Sequence, residues 1–153
     1  MRTVGEIIKG KDFYCVGKDQ TVLEASQLMA EQQIGAVPVL DENRLVGIFS
    51  ERDLMTRVVA KGLDVKVTKI EEVMTKDIIV AEAGESYESC LKKMKQINAR
   101  HLPVVSGNQL IGMVSMRDLL LLDLSEKDEE IKWLTAYIYY IPPGWENRCG
   151  PGG

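Results

Sequence analysis

Internal repetition constrains this chain more than any other feature. Shifted by 65 residues against itself, the sequence matches without gaps from about Phe13–Met55 onto Ile78–Leu120. The densest stretch sets PVLDENRLVGIFSERDL (38–54) against PVVSGNQLIGMVSMRDL (103–119), and nine of these 17 positions are identical. Chance would supply about one. The chain is a tandem duplication followed by a 30-residue tail. A copy of about 55 residues with one half-covered sheet is marginal alone, so two copies packed sheet against sheet are expected to share one core.

Both copies spell the same order of elements. Phe13-Tyr14-Cys15-Val16 and Ile78-Ile79-Val80 read as short strands, each followed by a turn (Gly17-Lys18-Asp19 and Glu82-Ala83-Gly84). Thr21 and Ser86 stand where a helix N-cap belongs. Behind them, Val22, Ala25, Leu28 and Met29, and then Tyr87, Cys90, Leu91, Met94 and Ile97, fall at helical spacing. Two apolar strands follow, Val37–Leu40 with Leu45–Phe49 and Leu102–Val105 with Leu110–Val114. Asn43 and Asn108 suit the loops between them because Asn tolerates positive φ. Ser50 and Ser115 can cap a closing helix with Asp53 and Asp118 in its first turn. The expected fold is α+β: two tandem β-α-β-β-α units, residues 1–60 and 61–123, related by pseudo-twofold symmetry.

Composition narrows the function classes. Nineteen Lys and Arg against 23 Asp and Glu leave a net charge of −4, without the basic surplus that a general nucleic-acid binder needs. No run reaches the roughly 18 consecutive apolar residues of a membrane span, and MRTVGEIIKGKD lacks the apolar core of a signal peptide. A cytoplasmic chain with no membrane partner is expected. Cys15, Cys90 and Cys149 form no CxxC pair, which excludes a disulfide framework and a cysteine zinc site. Cys15 and Cys90 read as small core residues. With one histidine, His101, and no GxSxG, HExxH, Walker or GxGxxG pattern, most enzyme classes start without their chemistry.

At the same place in both copies stands Gly-apolar-apolar-Ser-x-Arg-Asp, as GIFSERD (47–53) and GMVSMRD (112–118). A single occurrence is explained by packing at Gly, capping by Ser and the helix dipole at Asp. Two in register suggest more. A helix N-terminus offers N–H groups to an anion; Ser and Arg can supplement them, and a carboxylate three residues past the Ser can accept two ribose hydroxyls. That set describes a nucleotide.

The twin pattern resembles the CBS-domain family in its tandem form, the Bateman module, over roughly residues 3–122. The stretch Ile70-Glu71-Glu72-Val73-Met74-Thr75-Lys76-Asp77 also looks like the family's lead into a repeat, and Val4–Gly10 is its weaker counterpart, with one extra residue. The resemblance implies two clefts for adenosyl ligands: AMP, ADP or ATP first, with NAD or S-adenosylmethionine as alternatives. It sets Ser50, Arg52 and Asp53 against Thr75, Ile79, Arg100, His101 and Leu102. Ser115, Arg117 and Asp118 would face Tyr14, Gly35, Ala36 and Val37. The Asp would hold ribose, the Ser and Arg phosphate, and the apolar residues adenine. Arg100 and His101 stand where the first copy has Gly35 and Ala36, and Lys9-Gly10 lies near the counterpart of Thr75, so the clefts are expected to differ.

The tail, residues 124–153, reads as a helix opened by a Ser125-Glu126-Lys127-Asp128 box, with Ile131, Leu134 and Ile138 on one face and Trp133, Tyr137 and Tyr140 flanking it. Pro142-Pro143-Gly144 stops it. Three function classes follow. The leading one is a stand-alone regulatory nucleotide sensor, a homodimer that passes ligand state to an unknown regulated protein. The second is an enzyme using Asp53, Asp118 or His101; duplication argues against it, since catalysis rarely needs one carboxylate twice. The third is a structural dimerisation module with empty clefts. The run Leu119-Leu120-Leu121-Leu122 supplies apolar surface for pairing.

Overall fold

The structure, a computed structural model, describes residues 2–126, with side chains to Asp123. The expected Ile131–Tyr140 helix and its stop lie outside the described residues. The chain divides into two compact units, Met1–Met116 and Arg117–Gly153.

The first unit contains two three-stranded sheets built alike. In the first, β1 (Val16–Gly17) runs parallel to β2 (Ala36–Asp41), which pairs antiparallel with β3 (Arg44–Ser50). The second repeats this with β4 (Ala81–Glu82), β5 (His101–Ser106) and β6 (Gln109–Ser115). Even the irregularity recurs, at Val39/Leu40 and at Val104/Val105. The two sheets meet along β3 and β6. Helices α2 (Val22–Gln32) and α5 (Tyr87–Ile97) begin on the expected caps: Thr21 accepts from the Glu24 amide and Ser86 from the Ser89 amide, both at 3.2 Å. Both end on a left-handed residue, Gln33 and Asn98. Val22, Ala25 and Met29 of α2 pack with Val37, Val39 and Phe49 in a continuous core.

A short helix precedes each β-α-β-β-α unit: α1 (Val4–Ile8) and α4 (Ile70–Val73). Each crosses to the other repeat. The amides of Val4 and Gly5 donate to the Glu85 and Ala83 carbonyls, and α1 packs on β4 and β6. The amides of Ile70 and Glu71 donate to Gln20 and Lys18, and α4 packs on β3. The crossings meet the sheets at glycines. A Cβ on Gly112 would lie 2.7 Å from Ile8 Cδ1, and one on Gly47 would lie 2.5 Å from Met74 Sδ. The motif's glycine is therefore the seat of the exchanged segment.

Several expectations are corrected. The first strands are Val16–Gly17 and Ala81–Glu82, later and shorter than the apolar runs 13–16 and 78–80. Pairing to β2 and β5 fixes them, while Phe13 and Ile79 lie outside the strands and are exposed. Cys15 is exposed, not core, whereas Cys90 is buried. Burial, assisted by the Glu85 carboxylate, pushes the Cys90 thiol up to about 11. In the loops, Asn43 has φ 69° as expected, but in the second copy Gly107 takes the left-handed conformation instead of Asn108. The first closing helix is only three residues of α-helix, α3 (Glu51–Asp53), continuing as a π-helix over Leu54–Val59. The second, α6 (Met116–Glu126), runs through Ser125, so Ser125 lies inside a helix instead of capping one; no Gly or Pro interrupts it.

The two glycines predict unequal costs. Gly47→Ala meets Met74 Cγ at 2.9 Å and the Thr75 carbonyl at 3.0 Å as well as the sulfur, so backbone must move. It should lower the unfolding free energy by about 1–3 kcal/mol. Gly112→Ala meets only a rotatable methyl within 3 Å and should cost less. Urea denaturation of both variants measures the difference.

Candidate functional site

Asp53 is the one buried carboxylate of the duplicated pattern's first copy, at 5% exposure, and its surroundings explain why it stays there. Ser50 and Asp53 form a reciprocal box at the start of α3: the Ser50 amide and hydroxyl each donate to Oδ2 at 3.0 Å, and the Asp53 amide donates to the Ser50 oxygen at 3.2 Å. Oδ1 faces the exchanged segment. Thr75, paired to Ile48 by backbone bonds of 2.8 and 3.0 Å, donates its hydroxyl to Oδ1 at 3.1 Å and to Oδ2 at 3.3 Å. Arg57 Nε lies 3.6 Å from Oδ1. A buried charge needs this set of partners.

This carboxylate forms part of the wall of a cleft of about 1050 Å³. The cleft gathers Ser50, Arg52, Asp53, Thr75, Ile79, Arg100, His101 and Leu102, the whole set expected around the first motif. Gly35 and Ala36 line the same cleft, although the expectation placed them with Asp118. Gly35 has no side chain, and Glu51 and His101 close over it: a Cβ there would lie 3.2 Å from Glu51 Oε1 and 3.3 Å from His101 Cε1. Sequence reasoning missed Glu51, Lys76, Asp77, Met55 and Ile97, which also line the cleft. Lys76 and Asp77 could have been found, since they continue directly from Thr75.

Three of the first four amides of the helix start are already engaged. The Glu51 amide donates to the Gly35 carbonyl at 2.9 Å, the Asp53 amide is spent on Ser50, and the Leu54 amide bonds Glu51 within the helix. Arg52, Lys76 and Arg100 bring cationic side chains to the cleft lining, beside His101. Arg52 also spans the cleft, donating to the Asn98 carbonyl at the end of α5 at 3.1 Å.

The other expected residues are placed as follows. Val37, in the core of the first sheet, and its counterpart Leu102 are fully buried, so neither side chain presents anything to a ligand. Tyr14 is half-buried just before β1, and Ser115 is the last residue of β6. Arg117 and Asp118 stand in the first turn of α6, at the start of the second compact unit. Among the described residues no cluster of His, Cys, Asp and Glu could hold a metal ion, and no helix is long and apolar enough to cross a membrane.

The CBS-domain profile matches this chain twice, over residues 4–60 and 70–125. The chain belongs to the CBS-domain family. It carries a tandem pair of CBS repeats, and the sheets described above are the two halves of that pair. CBS domain-containing protein YhcV of Bacillus subtilis is 34% identical over 112 residues, 73% of this chain and 79% of that protein. A solved CBS-domain protein from Burkholderia ambifaria aligns with a TM-score of 0.77 at 37% identity, covering 82% of this chain and 96% of the other. The CBS domain pair of protein MJ0100, solved in complex with 5′-methylthioadenosine and S-adenosyl-L-methionine, aligns with a TM-score of 0.74 at 26% identity, covering 83% of this chain and 99% of that one.

Within the CBS pair, the Thr75 hydroxyl is the part of the Asp53 cage contributed by the second repeat. Thr75→Val keeps the volume and the backbone bridge to Ile48 but leaves the buried carboxylate one donor short. The unfolding free energy should fall by about 1–3 kcal/mol, read by urea denaturation at neutral pH.

Proposed function

We propose that this chain is a regulatory module that binds an adenosyl ligand in the Asp53 cleft and passes its occupancy to a partner protein in the cytoplasm. The observation that carries this reading is the Asp53 carboxylate. It is buried in the wall of an open cleft, and its Oδ1 is met by the hydroxyl of Thr75. A ribose hydroxyl can take the place of that threonine hydroxyl without any new charge being buried. Ile79, which lines the cleft and is exposed, offers apolar surface for a purine. The complex of MJ0100 with two adenosyl compounds supports the class of ligand.

Within that class, AMP, ADP or ATP is the proposed choice over NAD or S-adenosylmethionine. Arg52, Lys76 and Arg100 line the cleft beside His101, and these side chains suit phosphate. Glu51 and Asp77 line it too, so phosphate would be matched by its position along the wall and not by net charge. Ser115, Arg117 and Asp118 are proposed to contribute the corresponding contacts of the second repeat. No catalytic role is assigned to either aspartate.

Asp53→Asn retains an oxygen for the Ser50 cap but removes the charge. It should weaken AMP and ATP binding by about 1.5–3 kcal/mol, measured by calorimetry against a wild-type control. Undiminished binding by a folded Asp53→Asn protein would sink the site assignment. If neither protein binds any adenosyl compound, the structural module with empty clefts becomes the better reading.

The module is further proposed to act as a homodimer. Met55 and Val59, four residues apart on the first closing helix, are 61% and 66% exposed, and Leu121 in α6 is 49% exposed. Burying such side chains favours association at about 25 cal/mol per Å². Sedimentation at micromolar concentration should give about twice the chain mass of 17.1 kDa, and Met55→Lys with Val59→Lys should shift it to the monomer. A wild-type monomer would remove the dimer from the proposal.

A further inference from the structure

We infer that Arg57 is the positioning residue of the Asp53 site, acting on the ligand only through the carboxylate it holds. The inference rests on the adenosyl reading above. Arg57 is not among the residues that line the cleft, yet its guanidinium is fixed on two sides. Nη1 donates to the Met74 carbonyl at 2.9 Å and to the Val73 carbonyl at 3.4 Å, while Nε stands 3.6 Å from Asp53 Oδ1. The carbonyls belong to the end of α4, immediately before Thr75, whose hydroxyl reaches the same Oδ1. One planar fork therefore spans from the exchanged segment to the carboxylate, and its geometry is set before any ligand arrives. Arg57 rides on the π-helical stretch that begins directly after Asp53, a rare geometry that concentrates at functional sites.

When a ribose hydroxyl replaces Thr75 at Oδ1, the capping bonds at Oδ2 remain and Arg57 keeps the carboxylate turned toward the cleft. The second repeat has Leu122 at the aligned position, which has no fork to offer. The support is thus a feature of one copy and not of the duplicated pattern.

The test uses the full chain, calorimetry, and two probes: AMP and 2′,3′-dideoxy-AMP, which lacks the hydroxyls that Asp53 would grip. Arg57→Leu should weaken AMP binding on the order of tenfold and leave the dideoxy analogue unchanged. Arg57→Lys, which restores charge without the fork, should recover part of the loss. In an Asp53→Asn background, Arg57→Leu should add nothing. Arg57→Leu binding AMP as well as wild type, or losing both probes to the same extent, would overturn the inference alone. Wild-type AMP binding that ignores Asp53→Asn would overturn the reading beneath it as well.

Discussion

Two backbone hydrogen bonds between Thr75 and Ile48 join the second repeat to the sheet of the first, and much of the structure follows from them. They require the chain to pass close over β3, which is possible only because residue 47 is glycine. They bring the Thr75 hydroxyl onto Asp53 and set the Val73 and Met74 carbonyls where Arg57 can reach them. The same crossing in the other direction brings Ile8 onto Gly112 and the Val4 amide onto Glu85. A repeat of this size cannot bury its own sheet. Exchange of the lead-in segments makes the two folding problems one.

Features determined by near neighbours in sequence were legible. Thr21, Ser86 and the Ser50–Asp53 box act within three residues of themselves, so their roles could be read without knowing the fold. Features determined by distant partners were not. The runs at 13–16 and 78–80 have the composition of strands, but β2 and β5 select Val16–Gly17 and Ala81–Glu82 as their partners. The apolar look of Phe13–Val16 likewise suggested a buried Cys15, which is in fact exposed although Val16 beside it is buried. Arg57 was illegible for a different reason. An Asp and an Arg four residues apart are usually a solvated helical pair worth little; only the crossing of α4 supplies the carbonyls that make this arginine structural.

The comparison of the two copies separates scaffold from elaboration. Gly47 and Gly112 recur because each seats an exchanged side chain, and Ser50–Asp53 recurs with Ser115–Asp118 in sequence at the start of each closing helix. The positions around them diverge. Aligned on the seated residues Ile8 and Met74, the counterpart of Thr75 is Lys9, which is exposed at the end of α1. Glu51 is answered by Met116, Arg57 by Leu122, and Arg100 and His101 by Gly35 and Ala36.

These differences fall in and around one cleft, and they act jointly. The missing side chain at Gly35 leaves the space that Glu51 and His101 occupy, so the small residue of one copy and the larger one of the other meet at one place. Thr75 and Arg57 both depend on the segment that crosses to β3, so a hydroxyl and a guanidinium reach Asp53 from one backbone path. Duplication supplied two frames with a carboxylate at the same place in each. In the first, partners drawn from both repeats surround that carboxylate, which is why its environment could not have been built by either repeat alone.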